Sequence, residues 1–409
     1  MTKNMNIALL SDVPPDSRYT AGQVLRKTLE NTDFIAVDFY WLNQSLLPSE
    51  ESLPSNSSLV FHGNFAYGKV KHALRVGLER LFGWIPKVRS LLIVSFALIH
   101  PCYLGLRLGL KLRYSRADVL WMVLQGERLA ITYWIISKLA DKPIILQQWD
   151  PMSWWLNHRG YPNWLSSRIE KLVESLEARA KLNLVPSHAW QSALVSKGRS
   201  AHRIDNFFLD NEPKQTLLVR AMSLGQLNAV FLGQLYSNRE LTLILGDLSR
   251  YCRLNGLEFV LHYFGSSIDG FKCDGVRIEN HGHVDRESLL ARIAKWDAAI
   301  LPYPTERRFE DASRLSFPSK ARVYIAAGLP IISLSALDSS PHQFLSRCYR
   351  ENYFNIVEGG DLPKFINYCR EDTLEGMRRR RASGKKVIED HFSSGVELAP
   401  FHKFLRSLK

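Results

Sequence analysis

Two groups of side chains in this sequence have the composition and spacing of a chemical site. In Leu315 to Pro330, LSFPSKARVYIAAGLP, Pro318 stands where a first-turn proline belongs, Gly328 falls just past the last helical residue, and Pro330 forbids continuation. The spacing predicts a short helix. Its first free backbone N–H groups, those of Ser319 and Lys320, converge with the helix dipole and the Lys320 side chain on one point, an arrangement that binds anions. A loop carrying Tyr303, Arg307 and Arg308 precedes it. The plainer alternative is a well-capped core helix with a solvated lysine.

The second group surrounds Asp150, which ends the strand-like run PIILQQWD and has tryptophans on both sides of it in the sequence, Trp149, Trp154, Trp155 and Trp164, with His158 nearby. A carboxylate among aromatic planes suits a sugar, whose faces stack and whose hydroxyls need acceptors. Asp150 and His158 with Trp149 and Trp154 are therefore acceptor-side candidates, and an Asp that caps the next turn is the alternative. A third motif falls short. Gly63, Gly68 and Lys69 in GNFAYGKV have the spacing of a phosphate-binding loop, but Val70 stands where a magnesium-binding hydroxyl is required, so a nucleotide triphosphatase is not expected.

The elements that must position these residues alternate along the chain. NIALLS, a loop, the helix GQVLRKTLE and the strand FIAVDFYW open a doubly wound α/β pattern, with Gly22 near the helix start, where a ligand can approach the backbone or the chain simply turns. DVLWMVLQG, PIILQQWD and LNLV continue it, and Ser167 with Glu170 has the spacing of a capping box. A second series follows: AVFLG, LEFVLHYFG, VRIENHG, AAILPYP, PIISLS and FNIV, separated by helical stretches. The domain reading is an N-terminal domain over residues 1–210, a linker over 211–226, a second Rossmann-like domain over 227–385 and a helical tail over 386–409. Arg378 to Arg381 reads as a solvated helix face, with an anionic surface as partner the alternative.

Composition sets the partners. Lysine and arginine number 53 against 40 acidic residues, a net charge of +13 that favours a negatively charged partner. Between residues 69 and 116 the basic residues face a single acid, Glu79, around the apolar run SLLIVSFALIHPCYLGLRLGL, which His100, Pro101 and Arg107 interrupt. Such a segment fits the interface of an anionic bilayer, with a pair of buried helices or a single span as the other readings. The five cysteines have no paired or metal-binding spacing, which suits a reducing compartment. No paired acidic motif suggests a metal-dependent reaction.

FLGQLYSNREL, HYFG, ENHGHVDRESLLARIAKWDAAILPYP and SFPSKARVYIAAGLPII follow one another in an order that resembles the family 4-like glycosyltransferases. The resemblance implies the GT-B fold, two Rossmann-like doubly wound domains facing a cleft with a C-terminal helical tail. It also implies a nucleoside diphosphate sugar held by the second domain, without a cofactor. Ser319 and Lys320 would meet the phosphates, with Tyr303, Phe317 and Gly22 also on the donor side. Of a basic pair that grips the diphosphate in the family, Gln234 replaces one member and Arg239 keeps the other. Leu315 and Val323 stand where many relatives carry two glutamates, so either Glu310 or Asp311 substitutes from the loop as the ribose contact, or the nucleotide is held differently, or donor binding is weakened.

Transfer to a hydroxyl of a lipid-linked or surface-polysaccharide acceptor is the expected activity. A peripheral position on the inner face of the plasma membrane, with no nucleic acid partner, is the expected setting. Asp150 would act as the acceptor base if the reaction inverts. A catalytically silent protein of the same fold, serving as a binding or assembly subunit, is the other expectation, motivated by Leu315 and Val323.

Overall fold

The computed structural model describes residues 5–15, 20–42, 53–62, 86–159, 161–204, 225–233, 237–265, 271–284, 286–357, 361–370 and 373–408. The chain folds as two units, one comprising Met1–Asn206 with Leu398–Lys409, the other Phe207–Glu397. The linker residues 211–224 and the motif at Gly63, Gly68 and Lys69 lie outside the described residues.

Unit 1 is built on a parallel sheet of strands β1 (Met5–Ser11), β2 (Ile35–Trp41), β3 (Ser57–His62), β4 (Val119–Leu124), β5 (Ile144–Gln148), β6 (Leu182–Val185) and β7 (Ala201–Arg203). Their order across the sheet is β3-β2-β1-β4-β5-β6-β7. Strands such as VLWMVL are buried at every residue, because helices cover both faces of a parallel sheet and leave no polar side to alternate with.

The helices are α1 (Thr20–Glu30), α2 (Pro86–Arg113), α3 (Gly126–Leu139), α4 (Met152–Arg159), α5 (Asn163–Arg179) and α6 (His188–Ser196). Ser187 caps α6 by accepting a hydrogen bond from the Trp190 N–H at 3.1 Å. The capping box expected at Ser167 is not formed, because α5 starts at Asn163 behind Pro162 and Ser167 lies inside it.

Unit 2 repeats the plan with β8 (Gln226–Leu232), β9 (Glu258–Phe264), β10 (Val276–Asn280), β11 (Ala298–Pro302), β12 (Ile331–Leu334) and β13 (Tyr353–Asn355), all parallel in the order β10-β9-β8-β11-β12-β13. Its helices are α7 (Asn238–Leu254), α8 (Arg286–Ile293), α9 (Glu310–Leu315), α10 (Ser319–Ala326), α11 (Ser340–Cys348), α12 (Leu362–Arg370) and α13 (Leu374–Phe392). A final helix, α14 (Ser394–Ser407), carries the chain from unit 2 back to unit 1. There Phe401 is buried against Trp121 at a ring separation of 5.2 Å, and His402 Nε2 lies 2.9 Å from Thr32 Oγ1.

Helix α2 packs on α3 through Gly105 and Gly109, where an added Cβ would lie 2.8 Å from Ile135 Cβ and 2.9 Å from Leu139 Cβ respectively. Two glycines four residues apart thus let the helix backbones approach closely. Its other stripe, Ile99, Tyr103, Leu106 and Leu110, is exposed. Among the described residues, no helix is long and apolar enough to cross a membrane.

Candidate active site

Each sheet has one point where the chain leaves neighbouring strands in opposite directions, and a crevice opens there at the carboxyl ends of the strands. In unit 2 it lies between β8 and β11, whose pairing stops at Val230 and Ala299. The Tyr324 hydroxyl fills the split, accepting from the Leu232 N–H at 2.9 Å and donating to the Ile300 carbonyl at 3.2 Å. Tyr324 belongs to α10, so the same side chain that closes the split anchors that helix against it.

Helix α10 starts at Ser319 after Pro318, and no side chain caps its first turn. It ends in the left-handed turn expected of Gly328, φ +68°, with Leu329 N–H bonded to the Tyr324 carbonyl at 3.0 Å and Gly328 N–H to that of Ile325 at 2.9 Å. The stem of Lys320 reaches the surface, but its ammonium is buried, with Nζ 4.2 Å above the Phe231 ring of β8. Among the described residues it has no carboxylate partner, and burial lowers its pKa to about 7. A desolvated ammonium beside an uncapped helix start is a receptor for an anionic group.

The surrounding loops are pinned. Glu240 of α7, itself buried, accepts from the Thr305 N–H at 3.0 Å and the Thr305 hydroxyl at 2.8 Å, holding the loop after β11. The Tyr303 hydroxyl donates to the Ser316 carbonyl at 3.0 Å, which fixes the approach to α10. Arg239 is exposed on the first turn of α7. Glu310 and Asp311 are exposed in the first turn of α9, with Glu310 3.6 Å from Arg314. Phe317 turns inward, packing against Phe344 and Phe392, and Val323 packs on the same core. Gln234 lies outside the described residues.

In unit 1 the split lies between β1 and β4, and again a tyrosine occupies it: the Tyr133 hydroxyl of α3 is 2.8 Å from the Leu10 carbonyl and 3.0 Å from that of Val123. Three segments reach this crevice. Asp12 immediately follows β1, and its buried carboxyl has its pKa raised to about 7 by desolvation, against its own backbone hydrogen bond and the Arg159 charge. Glu127 opens α3 behind Gly126, which turns at φ +78°. It is buried and bonded to Arg159, and it accepts from the Tyr161 hydroxyl at 3.0 Å.

Trp149 and Asp150, both half-buried, follow β5, the next strand across. The Trp149 indole N–H is buried with no partner among the described residues. Trp154 stands edge-on to Trp155 at 5.0 Å, and the Arg159 guanidinium lies 5.7 Å over the Trp155 ring. His158 is on α4, with its side chain outside those described, and Gly22 is buried in the first turn of α1.

The structure thus brings Tyr303, Ser319 and Lys320 to one crevice of unit 2. It sets Trp149, Asp150 and Trp154 beside a carboxylate-rich crevice of unit 1. Asp12, Glu127 and Arg159 were not among the sequence candidates. Asp12 had a signal, an acid directly after the first strand; Glu127 and Arg159 meet only through folding.

Sequence comparison finds neither a matching family model nor a similar curated protein. Solved structures do match. The α,α-trehalose 6-phosphate synthase of Burkholderia multivorans superposes with a TM-score of 0.61 at 11% identity, over 100% of this chain and 99% of that one. Sucrose-phosphate synthase from Thermosynechococcus elongatus gives 0.60 at 11% identity, with 99% of each chain covered. A lipopolysaccharide outer core galactosyltransferase gives 0.58 at 14% identity, over 98% and 99%. The chain has the GT-B fold of these glycosyltransferases.

Proposed function

We propose that this chain is a glycosyltransferase that moves a sugar from a nucleoside diphosphate sugar to a hydroxyl of a lipid-linked or surface-polysaccharide acceptor at the inner membrane face. The observation that carries the reading is Lys320, a buried ammonium with no counter-ion among the described residues, next to the uncapped start of α10. Breaking the anomeric bond builds negative charge on the departing diphosphate. Lys320, the N–H groups of Ser319 and Lys320, and Arg239 stabilise that charge more in the transition state than in the ground state. On the acceptor side Asp150 is the base if the stereochemistry inverts and a hydroxyl contact if it is retained, and Asp12 is a second candidate for the proton. The likeness to a lipopolysaccharide outer core galactosyltransferase supports transfer to a glycan, and the exposed stripe of α2 supports a membrane setting.

A thermal-shift screen with UDP, GDP, dTDP and CMP nucleotides and their sugars tests this. A cognate ligand at about 100 times its dissociation constant adds roughly 2.7 kcal/mol of stability. Lys320→Met should abolish that gain while raising the melting temperature of the unliganded protein, because it removes an uncompensated buried charge. A flat response to every nucleotide overturns the reading. Leu315 and Val323, which supply no carboxylate to a ribose, favour a second outcome: nucleotide binding without hydrolysis or transfer, the signature of a silent assembly subunit.

A further inference from the structure

Strands β9 and β10 bring together three side chains that the transferase reading does not use. His262 and Glu279 are directly opposed across the parallel pair. His281, two residues beyond Glu279 and therefore on the same face, extends the ladder by donating its N–H to the Tyr263 carbonyl at 2.8 Å. His262 is buried beneath Trp296, the rings nearly parallel at 3.5 Å, and His281 stacks on Phe264 at 4.6 Å. Aromatic faces hold both imidazoles in orientation.

The hydrogen bonds behind His262 decide which ring nitrogen carries its proton. Asn228 donates from its backbone N–H at 2.7 Å and its side-chain nitrogen at 3.3 Å to Asp297 Oδ2, a carboxylate that only accepts. That leaves Asn228 Oδ1 facing His262 Nε2 at 3.2 Å, so Nε2 is the donor. In the neutral ring Nδ1 then presents a lone pair, 3.0 Å from His281 Nε2 and 3.3 Å from Glu279 Oε2. The other Glu279 oxygen is taken by Arg277 at 3.3 Å. A proton on His281 can satisfy Nδ1, but Glu279 Oε2 still faces that lone pair. A cation at the centre satisfies all three.

The spacing agrees with a metal. Tetrahedral coordination with bonds of about 2.0–2.2 Å places ligand atoms roughly 3.3 Å apart, and the donor atoms here lie within 4.8 Å of one another with two separations of 3.0 and 3.3 Å. We propose that His262, Glu279 and His281 form a site for a divalent transition-metal ion of the zinc type, with a water in the fourth position. Asn228 is its positioning residue, holding His262 through Nε2 as metal-bound histidines are commonly held. The ion would clamp edge strand β10 to β9.

Isothermal titration of the untagged, metal-free full chain with Zn2+ tests the site, and the Co2+ complex gives a visible spectrum that reports coordination number. The expected result is one equivalent bound with micromolar or tighter affinity and a four-coordinate Co2+ spectrum. Glu279→Gln and His281→Ala should each weaken binding by at least about tenfold. Both side chains are partly exposed, so these variants keep the fold where His262→Ala could lose it. Absence of binding, binding that both variants leave unchanged, or an octahedral Co2+ spectrum overturns the proposal.

Discussion

Asp12 and Lys320 are buried ionisable groups whose shifts run in opposite directions, and each makes stability depend on pH in its own window. For Asp12 the folded pKa of about 7 lies above the ordinary carboxylate value. Between about pH 4 and 7 the folded state therefore keeps a proton that the unfolded state has lost, and stability falls as pH rises through that window. Asp12→Asn should consequently stabilise the protein at pH 8, by on the order of 2–4 kcal/mol, and have little effect near pH 4. Lys320 is the mirror case: from about pH 7 to 10 the unfolded state binds more protons, so its contribution to stability rises with pH. If Asp12 takes the acceptor proton, kcat/KM falls below about pH 7 and Asp12→Asn costs at least about a hundredfold in rate. The same loss in Asp150→Asn with a near-normal Asp12→Asn assigns the base to Asp150. An acid after the first strand was visible in the sequence; its burial and the Arg159 charge that acts on it were not, because residues separated by most of a domain set them.

At the scale of the element, α2 presents an inverted arrangement. Its small residues, Gly105 and Gly109, face the neighbouring helix, while Tyr103, Leu106 and Leu110 are 60%, 52% and 53% exposed beside the exposed Arg107 and Lys111. A stripe this apolar and this basic is costly in water and favourable at an anionic bilayer surface. The double substitution Leu106→Glu with Leu110→Glu should abolish co-flotation with anionic vesicles and leave nucleotide-induced stabilisation intact; undiminished flotation would remove the membrane from the proposal. Helix α13 corrects a simpler expectation. Arg378 and Arg379 are solvated as expected, but Arg380 is buried with Nε 3.3 Å from the Gly328 carbonyl, and Arg381 donates to that of Ala294 at 3.3 Å. Four consecutive residues sweep a full helical turn, so a run of like charges cannot all face solvent on a packed helix. Gly384 completes the contact, since a Cβ there would sit 2.1 Å from the Ile325 carbonyl.

For the molecule as a whole, the alternation of strand and helix was legible because parallel strands read as short apolar runs and because Pro318 and Gly328 mark the bounds of α10. The strands expected from NIALLS through FNIV all form, in two separate sheets. What the sequence did not carry was pairing at a distance. His262 and Glu279 are neighbours only through the β9–β10 register, and nothing local marks the point where the chain rejoins unit 1. That return at Leu398 governs the order of assembly. Residues 207–397 emerge from the ribosome as a contiguous unit, whereas unit 1 lacks Phe401, which packs on Trp121, until α14 has been made. Domains generally fold as units during synthesis, so stalled chains ending before residue 398 should show a protease-resistant unit 2 beside a still-digestible N-terminal half, with resistance there appearing only once α14 is released. The half that is made first is then completed only after the whole of unit 2 has been made.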